Sequence, residues 1–275
     1  NRKKRMFQDA QQSGPSGPGW TPLSAAAVNS TFAGSSDFTQ YEIIDLLGHG
    51  GMGAVYRARD TKTSREVAIK LLRHDALHDD AFVARFKKES HNLRRVNHHN
   101  VVRVFDEGEV EGYPFFVMEL LEGHTLASEI ERSGRMPLAD IRRIMGDICA
   151  GLEAVHKEGL VHRDLKAANI FLANDGRVVI LDFGLARDVT AKPSTLSVAG
   201  SEGHIAPEVL KGEPATQLSD MFSCGVIFIH MLIGTIPRGG QVQLHETYGL
   251  DPRLDAIVKK ACNEDPKGRY QSARE

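Results

Sequence analysis

From residue 41 onwards, short runs rich in Val, Ile, Tyr and Phe are separated by polar breaks, a pattern that predicts strands at 41–47, 54–59, 66–72, 101–107 and 113–119. Five such runs in succession predict one antiparallel sheet. Between the third and fourth, Phe82, Phe86, Leu93 and Val96 recur at offsets of 4, 11 and 14, which places them on one face of a helix. After Gly123 the period changes: Ile141, Ile144, Met145, Ile148, Leu152 and Val155 follow helical spacing, and 219–233 is apolar on nearly every side. A helix that is apolar all round in a chain of this kind is a buried one, so 219–233 is expected at the centre of a second, mainly helical lobe. Residues 1–37 lack periodicity and hold Ser13-Gly14-Pro15-Ser16-Gly17-Pro18-Gly19, so they read as a flexible linker, with folding expected to begin near Phe38.

Composition narrows the picture by exclusion. With 275 residues, 41% hydrophobic and 25% charged, the chain can bury a core and is not disordered throughout. A net charge of -2 gives no basic field for nucleic acid, so no nucleic-acid partner is expected. Cys149, Cys224 and Cys262 are far apart and form no Cys-x-x-Cys pair, which fits a reducing cytoplasm rather than a disulfide framework or zinc site. The longest apolar stretch, 226–236, is too short to span a bilayer and contains His230. The opening Asn1-Arg2-Lys3-Lys4-Arg5 reads either as a solvated tail or as the cytoplasmic flank of a membrane segment outside these residues.

Gly48-His49-Gly50-Gly51-Met52-Gly53 matches G-x-G-x-x-G, by itself a weak signal. Because 54–59 continues as a strand rather than opening a helix, the glycines belong to a hairpin turn that could lie over phosphates, with Val55 packing on an adenine. Alternatively they are a plain hairpin. Val67-Ala68-Ile69 directs Lys70 inward, and Glu89 on the following helix is placed to hold its ammonium, unless Lys87 or Lys88 takes that carboxylate instead. The strongest signal is Val161-His162-Arg163-Asp164-Leu165-Lys166-Ala167-Ala168-Asn169 with Asp182-Phe183-Gly184 following 18 residues after Asp164. Phosphoryl transfer needs one carboxylate to orient the attacking hydroxyl and hard oxygen ligands for magnesium, and Asp164, Asn169 and Asp182 supply these.

Taken in order, the glycine loop, Lys70, Glu89, His162-Arg163-Asp164, Asn169, Asp182-Phe183-Gly184 and Ala206-Pro207-Glu208 resemble the protein-kinase family from about Phe38 to the end, with Arg269 as the expected buried partner of Glu208. Gly50-Gly51-Met52-Gly53-Ala54-Val55-Tyr56 and the closing Glu264-Asp265-Pro266 look like the eukaryotic-like Ser/Thr kinases of bacteria, which are often membrane-anchored. The resemblance implies an α+β, two-lobed fold, with a small antiparallel sheet lobe at about 38–120 and a larger helical lobe at about 121–275, the last helix being cut short. It implies ATP and magnesium as cofactors and protein substrates. Gly48, Gly50, Gly51, Gly53, Val55, Ala68, Lys70, Met118, Glu119, Leu121 and Phe171 would then contact the nucleotide, Met118 as gatekeeper and 119–121 as hinge. Asp164, Lys166, Lys70 and Glu89 would be catalytic and Asn169 and Asp182 metal ligands, with Lys166 indicating Ser/Thr rather than Tyr acceptors. By the same analogy Phe183 and His162 would stack with Leu93 and Phe105 in a buried column.

The pattern departs from the family at Gly200-Ser201-Glu202-Gly203-His204-Ile205, where His204 replaces an aromatic and makes the peptide platform looser or pH-sensitive, and at 237–251, where a helix is reduced or absent. A pseudokinase scaffold and a small-molecule phosphotransferase are the competing readings. Activation is expected by autophosphorylation, involving self-association, at Thr195 or Ser197, with Ser194 and Thr190 as lesser candidates: Arg163, expected to be buried beside Asp164, calls for an anionic partner, and Thr195 lies five residues before Gly200.

Overall fold

The computed structural model describes residues 21–35, 38–50, 53–182, 202–236 and 243–275. They fall into two compact units, Asn1–His124 and Thr125–Glu275. The division falls a few residues after the expected 120/121 boundary.

The first unit is built on a five-stranded antiparallel sheet of β1 (Tyr41–His49), β2 (Gly53–Asp60), β3 (Arg65–Leu72), β4 (Val104–Val110) and β5 (Tyr113–Glu119), in the order β1-β2-β3-β5-β4. Alternation of side chains assigns its two faces. Val55 pairs with Lys70, Lys70 with Phe116 and Ala68 with Met118, so these five share one face. The other carries Tyr56, Ile69, Val117 and Phe115, all buried. The helix predicted from Phe82, Phe86 and Leu93 is present as α2 (Asp80–Arg95), capped by Asp79, the second helix of the chain after α1 (Ala25–Thr31). Phe86 and Leu93 are buried and Phe82 is half-buried.

Two expectations fail in this unit. The linker reading of 1–37 is wrong over its last part: Ala25–Thr31 forms a helix, α1, capped by the Ser24 side chain. Its Val28 and the following Phe32 are 0% and 1% exposed. Phe32 packs edge-on against Phe38 and Tyr113 at 5.3 and 5.4 Å between ring centroids, and Phe38 in turn against Phe115. The segment covers the sheet face opposite Lys70. It has too few turns to show a period, and only Val28 and the following Phe32 among its residues are large and apolar, so the pattern could not reveal it. Asn29 binds the edge of β1 as a strand would, its Nδ2 donating to the Ile43 carbonyl at 2.8 Å and its Oδ1 accepting from the Ile43 N–H at 2.9 Å. The second failure is Phe105. It was expected in a buried column but is 41% exposed, under the Arg103 guanidinium. β4 begins three residues later than predicted, and its register slips between Val104, opposite Met118, and Asp106, opposite Val117. Phe105 is the extra residue of that irregularity and is turned outward, while Val104 is buried.

The second unit follows a short strand, β6 (Gly123–Thr125), at the junction. It contains α3 (Leu126–Ser133), α4 (Leu138–Lys157), the β7 (Ile170–Ala173) and β8 (Val178–Ile180) hairpin, α5 (Pro207–Leu210), α6 (Gln217–Ile233), α7 (Leu244–Tyr248) and α8 (Pro252–Ala261). As the all-round apolar pattern requires, α6 runs through the core, where Met221, Cys224, Ile227, Met231 and Leu232 meet Ile141, Ile144, Ile148 and Leu152 of α4. Thr216 and Ser219 close a capping box at its start, and Gly234 ends it in the left-handed region at φ 80°. In the shortened 237–251 segment only the five-residue α7 is found among the described residues.

The covering helix yields a prediction for this unit. Phe32→Ala should destabilise the protein by about 3–5 kcal/mol, and Asn29→Ala by about 1–2 kcal/mol, in urea unfolding followed by tryptophan-independent circular dichroism. Unchanged midpoints in both variants would mean that the segment is a linker after all.

Candidate catalytic site

In the first unit the buried ion pair is formed. Lys70 Nζ lies 3.2 Å from Glu89 Oε1, with the two residues 4% and 0% exposed, and 5.6 Å from the centre of the Phe116 ring. Lys87, the rival partner, instead reaches Glu109 at 2.7 Å. Two charges removed from water this completely need each other, because either alone would carry its desolvation penalty uncompensated. Val55, Ala68 and Met118 are buried on the same sheet face as Lys70, and Leu121 is buried beyond the end of β5. Glu119 Oε1 accepts the Arg103 N–H at 3.0 Å, and the Glu119 N–H donates to the Arg103 carbonyl at 2.9 Å. The glycine turn joins β1 to β2, closed by the Gly50 N–H to the Gly53 carbonyl at 2.9 Å. Gly53 has a reason to be glycine independent of any phosphate: a Cβ there would lie 2.0 Å from the Leu71 carbonyl oxygen.

In the second unit the His162–Asn169 loop gathers Asp164, Lys166 and Asn169, the residues expected to serve phosphoryl transfer. Lys166 Nζ lies 3.0 Å from Asp164 Oδ2. Asn169 Nδ2 donates to the Asp164 carbonyl at 2.8 Å and to its Oδ2 at 3.2 Å, which fixes the amide with Oδ1 as its acceptor end. Asn169 also accepts, through its backbone carbonyl, the N–H of Leu181 at 2.8 Å, tying the loop to the residue before Asp182. The His162 ring bridges the same two segments. Its Nε2 faces the Leu181 carbonyl at 2.9 Å and must donate, while Nδ1 accepts the Asp164 N–H at 3.3 Å, so the ring is the neutral Nε2–H tautomer. Phe171, on β7, is fully buried opposite Val179.

Backbone strain marks both motifs. Arg163 has φ 70° and Asp182 φ 38°, left-handed values that cost a non-glycine residue about 1–3 kcal/mol. A residue unsuspected from the sequence holds the first of them. Asp220, 1% exposed in the first turn of α6, accepts the His162 N–H through Oδ2 at 2.8 Å and the Arg163 N–H through Oδ1 at 2.9 Å. His156 Nε2 donates to the same Oδ2 at 2.9 Å from the last turn of α4. The available signal was an acid inside an otherwise apolar helix, which must find buried donors.

Glu208 and Arg269 form the expected pair. Both guanidinium Nη atoms reach the carboxylate, at 2.8 and 2.7 Å, and the remaining donors go to the carbonyls of Asn263, Leu218 and Glu264. Burial works to raise the pKa of Glu208, but the hydrogen bonds from Arg269 and Ser219 outweigh it and leave the pKa lowered. Nearby, His204 is buried, its carbonyl held by the Ser223 hydroxyl at 2.8 Å and its ring 6.4 Å from that of His230, whose pKa burial lowers. His204 lines a cavity of about 20 Å³ together with Asp164, Ser219, Asp220 and Ser223.

Arg163 is exposed, so its charge needs no partner on grounds of burial. Gly51, Phe183, Gly184, Thr190, Ser194, Thr195, Ser197, Gly200 and Ser201 lie outside the described residues.

A five-stranded sheet with a buried Lys–Glu pair, and a helical unit whose strained His-Arg-Asp loop is held from a buried helix, are the two halves of a protein kinase domain. Residues 41–273 match the protein kinase domain family, and the chain belongs to it. Among curated relatives it is 36% identical over 258 residues to the serine/threonine-protein kinase PknB of Mycobacterium leprae, covering 86% of this chain and 42% of that protein. It is 34% identical over 259 residues to PknB of Mycobacterium tuberculosis, with 86% and 41% covered. The chain thus spans about two fifths of the length of these relatives. Among solved structures, the PknI kinase domain of Mycobacterium tuberculosis superposes with a TM-score of 0.71 at 26% identity, over 86% of this chain and 93% of that one.

Two predictions follow from the loop and its support. Asp220→Ala should strand two buried N–H groups and cost about 2–4 kcal/mol of stability, with nucleotide-independent unfolding as the measurement; a loss below that of a surface substitution would mean that Asp220 does not hold the loop. Because the folded-state pKa of Glu208 lies below its ordinary 4.5, its stabilising contribution is complete above that pH and is lost as pH falls through the lowered value. Glu208→Gln should therefore flatten the acid limb of the stability–pH curve, and an unaltered acid limb would contradict the lowered pKa.

Proposed function

We propose that this chain is a serine/threonine protein kinase that transfers the γ-phosphoryl group of ATP to hydroxyls of protein substrates. The observation that carries the reading is the Asp164 carboxylate, fixed by Lys166 and Asn169 in a loop that a buried acid holds in a strained conformation. Lys166 beside that carboxylate, and the Ser/Thr kinases among the relatives, favour aliphatic acceptors.

Each candidate site residue has a role under this reading. Lys70, oriented by Glu89, binds the α- and β-phosphates, and Val55, Ala68, Met118, Glu119, Leu121 and Phe171 receive the adenine. The glycine turn, Gly48, Gly50, Gly51 and Gly53, lies against the phosphates. Asp164 orients the acceptor hydroxyl and takes its proton, while Lys166 steadies the transferring group. The donor set of Asn169 Oδ1 and the Asp182 carboxylate is hard oxygen, as magnesium requires, so these two residues would hold it. Magnesium, when bound, neutralises charge on the phosphate oxygens.

Regulation belongs to the same reading. Arg163, exposed next to Asp164, is available to a phosphate on Thr195 or Ser197, introduced by one copy of the chain on another. Among the described residues no helix is long and apolar enough to cross a membrane. A cytoplasmic catalytic domain attached to an anchor outside these residues fits both the ATP requirement and the greater length of the relatives.

Incubation with labelled ATP, magnesium and a generic protein acceptor tests the assignment. Label should appear on serine and threonine, and Asp164→Asn should lower turnover roughly 10²- to 10⁴-fold with nucleotide affinity retained. Nucleotide binding by the wild type without transfer would identify a pseudokinase instead. Mass spectrometry of the active and Asp164→Asn proteins should find phosphate at Thr195 or Ser197 only in the former.

A further inference from the structure

Helix α2 meets one row of the sheet three times. Lys70 on β3, Phe116 on β5 and Glu107 on β4 are successive partners across three strands, so their side chains stand in line on one face. Each faces a residue of α2: Glu89 Oε1 lies 3.2 Å from Lys70 Nζ, the Phe86 ring lies 5.3 Å from that of Phe116, and the Ser90 hydroxyl donates to Glu107 Oε2. Ser90 is 3% exposed, and its hydroxyl, with one proton to give, stands between that carboxylate and the Lys87 carbonyl of its own helix, 2.8 Å away.

The spacing of residues along α2 brings these groups to the sheet together. Phe86, Glu89 and Leu93 stand at i, i+3 and i+7 and are all buried, which sets them on the inward stripe. Lys87, Ser90 and Arg94 each come one residue later, turned by about 100°, and this second stripe meets β4. Lys87 Nζ lies 2.7 Å from Glu109 Oε2, and Arg94 Nη1 and His91 Nδ1 approach Glu107 Oε1 at 3.5 and 3.8 Å. Pairs as exposed as these hold little on their own, because water and salt screen them and long side chains lose freedom in making them. The Ser90–Glu107 contact is of another kind: its donor is withdrawn from water, and a carboxylate acceptor makes a stronger hydrogen bond than a neutral one.

We propose that Glu107, acting through Ser90, is a positioning residue that fixes the roll of α2 about its axis and so keeps Glu89 against Lys70. The inference rests on the reading of Lys70 as the phosphate-binding residue. Phe86 on Phe116 is the pivot, since an apolar contact tolerates a small rotation. The Glu89 and Ser90 contacts lie to either side of it, two strand spacings or about 10 Å apart. A roll that releases Ser90 therefore displaces Glu89 as well. With the Ser90 contact made, that roll is blocked and the Lys70 ammonium keeps its partner; without it, the apolar stripe and the ion pair alone hold the helix.

The test compares Ser90→Ala, Glu107→Ala and Glu107→Gln in the full chain. The two alanine variants should lower kcat/KM for ATP roughly tenfold and leave KM for the protein acceptor unchanged. Glu107→Gln keeps an acceptor oxygen for Ser90 and should restore most of the loss. In a Glu89→Ala background Glu107→Ala should add nothing, because a residue that acts only through Glu89 has nothing left to act on. Acetic anhydride labelling with peptide mapping reads Lys70 independently of transfer. Lys70 should be acetylated several-fold faster in both alanine variants than in the wild type, relative to the exposed Lys211, since a buried ammonium without its partner gives up its proton and becomes a nucleophile. Losses that add fully in the Glu89→Ala background, an equal rise in KM for the acceptor, or Lys70 labelling as slow as in the wild type would each overturn the proposal. Ser90→Ala carries the test if Glu107→Ala fails to fold. A wild type that transfers no label would retire the kinase reading, and the Lys70 labelling would still decide whether Glu107 positions α2.

Discussion

The second unit depends on one buried carboxylate. Asp220 is removed from water in the first turn of an otherwise apolar helix, and three N–H groups supply what water no longer can. Two of those donors are consecutive backbone amides of the His162–Arg163 step, which makes the arrangement a device for fixing conformation as well as for satisfying charge. The φ of 70° at Arg163 is unfavourable in isolation and persists because the peptide entering Arg163 and the one before it are held by the same rigid acceptor. The orientation of Asp164, one residue further, is inherited from that clamp. A helix that the hydrophobic pattern explains as core thereby sets the geometry of a polar loop far away in the chain.

The first unit solves a different problem in a related way. Lys70 and Glu89 are both inaccessible to water, so each fixes the other, and the sheet face around them is assembled from residues two apart on neighbouring strands. On the opposite face the cost of burying no charge leaves aromatic packing as the organising force. There Phe32, Phe38, Tyr41 and Phe115 meet edge to face. The same sheet therefore carries an electrostatic site on one side and a purely apolar foundation on the other.

What could be read from the sequence follows the range of the interactions involved. Strands β1, β2, β3 and β5 and helices α2, α4 and α6 were legible from period, and Lys70 with Glu89 from their motif positions with Lys87 and Lys88 left open as rivals, whereas the Glu208–Arg269 pair was legible only through the family resemblance. Phe105 was misplaced because a one-residue irregularity reverses the facing of a side chain without leaving a mark in composition. Arg163 was misjudged because burial of a side chain beside a motif depends on the path of the backbone, here a left-handed turn that leaves the guanidinium exposed. Asp220 and His156 were invisible as partners, since each contact joins elements distant in the chain and no spacing rule connects them. Helix α1 was missed because it is short and rests on tertiary contacts instead of its own amphipathicity.

That helix bears on where this domain starts as a physical object. The matched family span opens at Tyr41, yet Val28 and Phe32 lie before it and roof the aromatic face of the sheet, while Asn29 occupies the free rim of β1. A recombinant fragment cut at the family border would present a bare aromatic surface beside an unpaired strand edge, the combination that recruits a neighbouring molecule's strand and leads to aggregation. The unit of inheritance and the unit of solubility differ here by about two turns of helix and the loop that follows it.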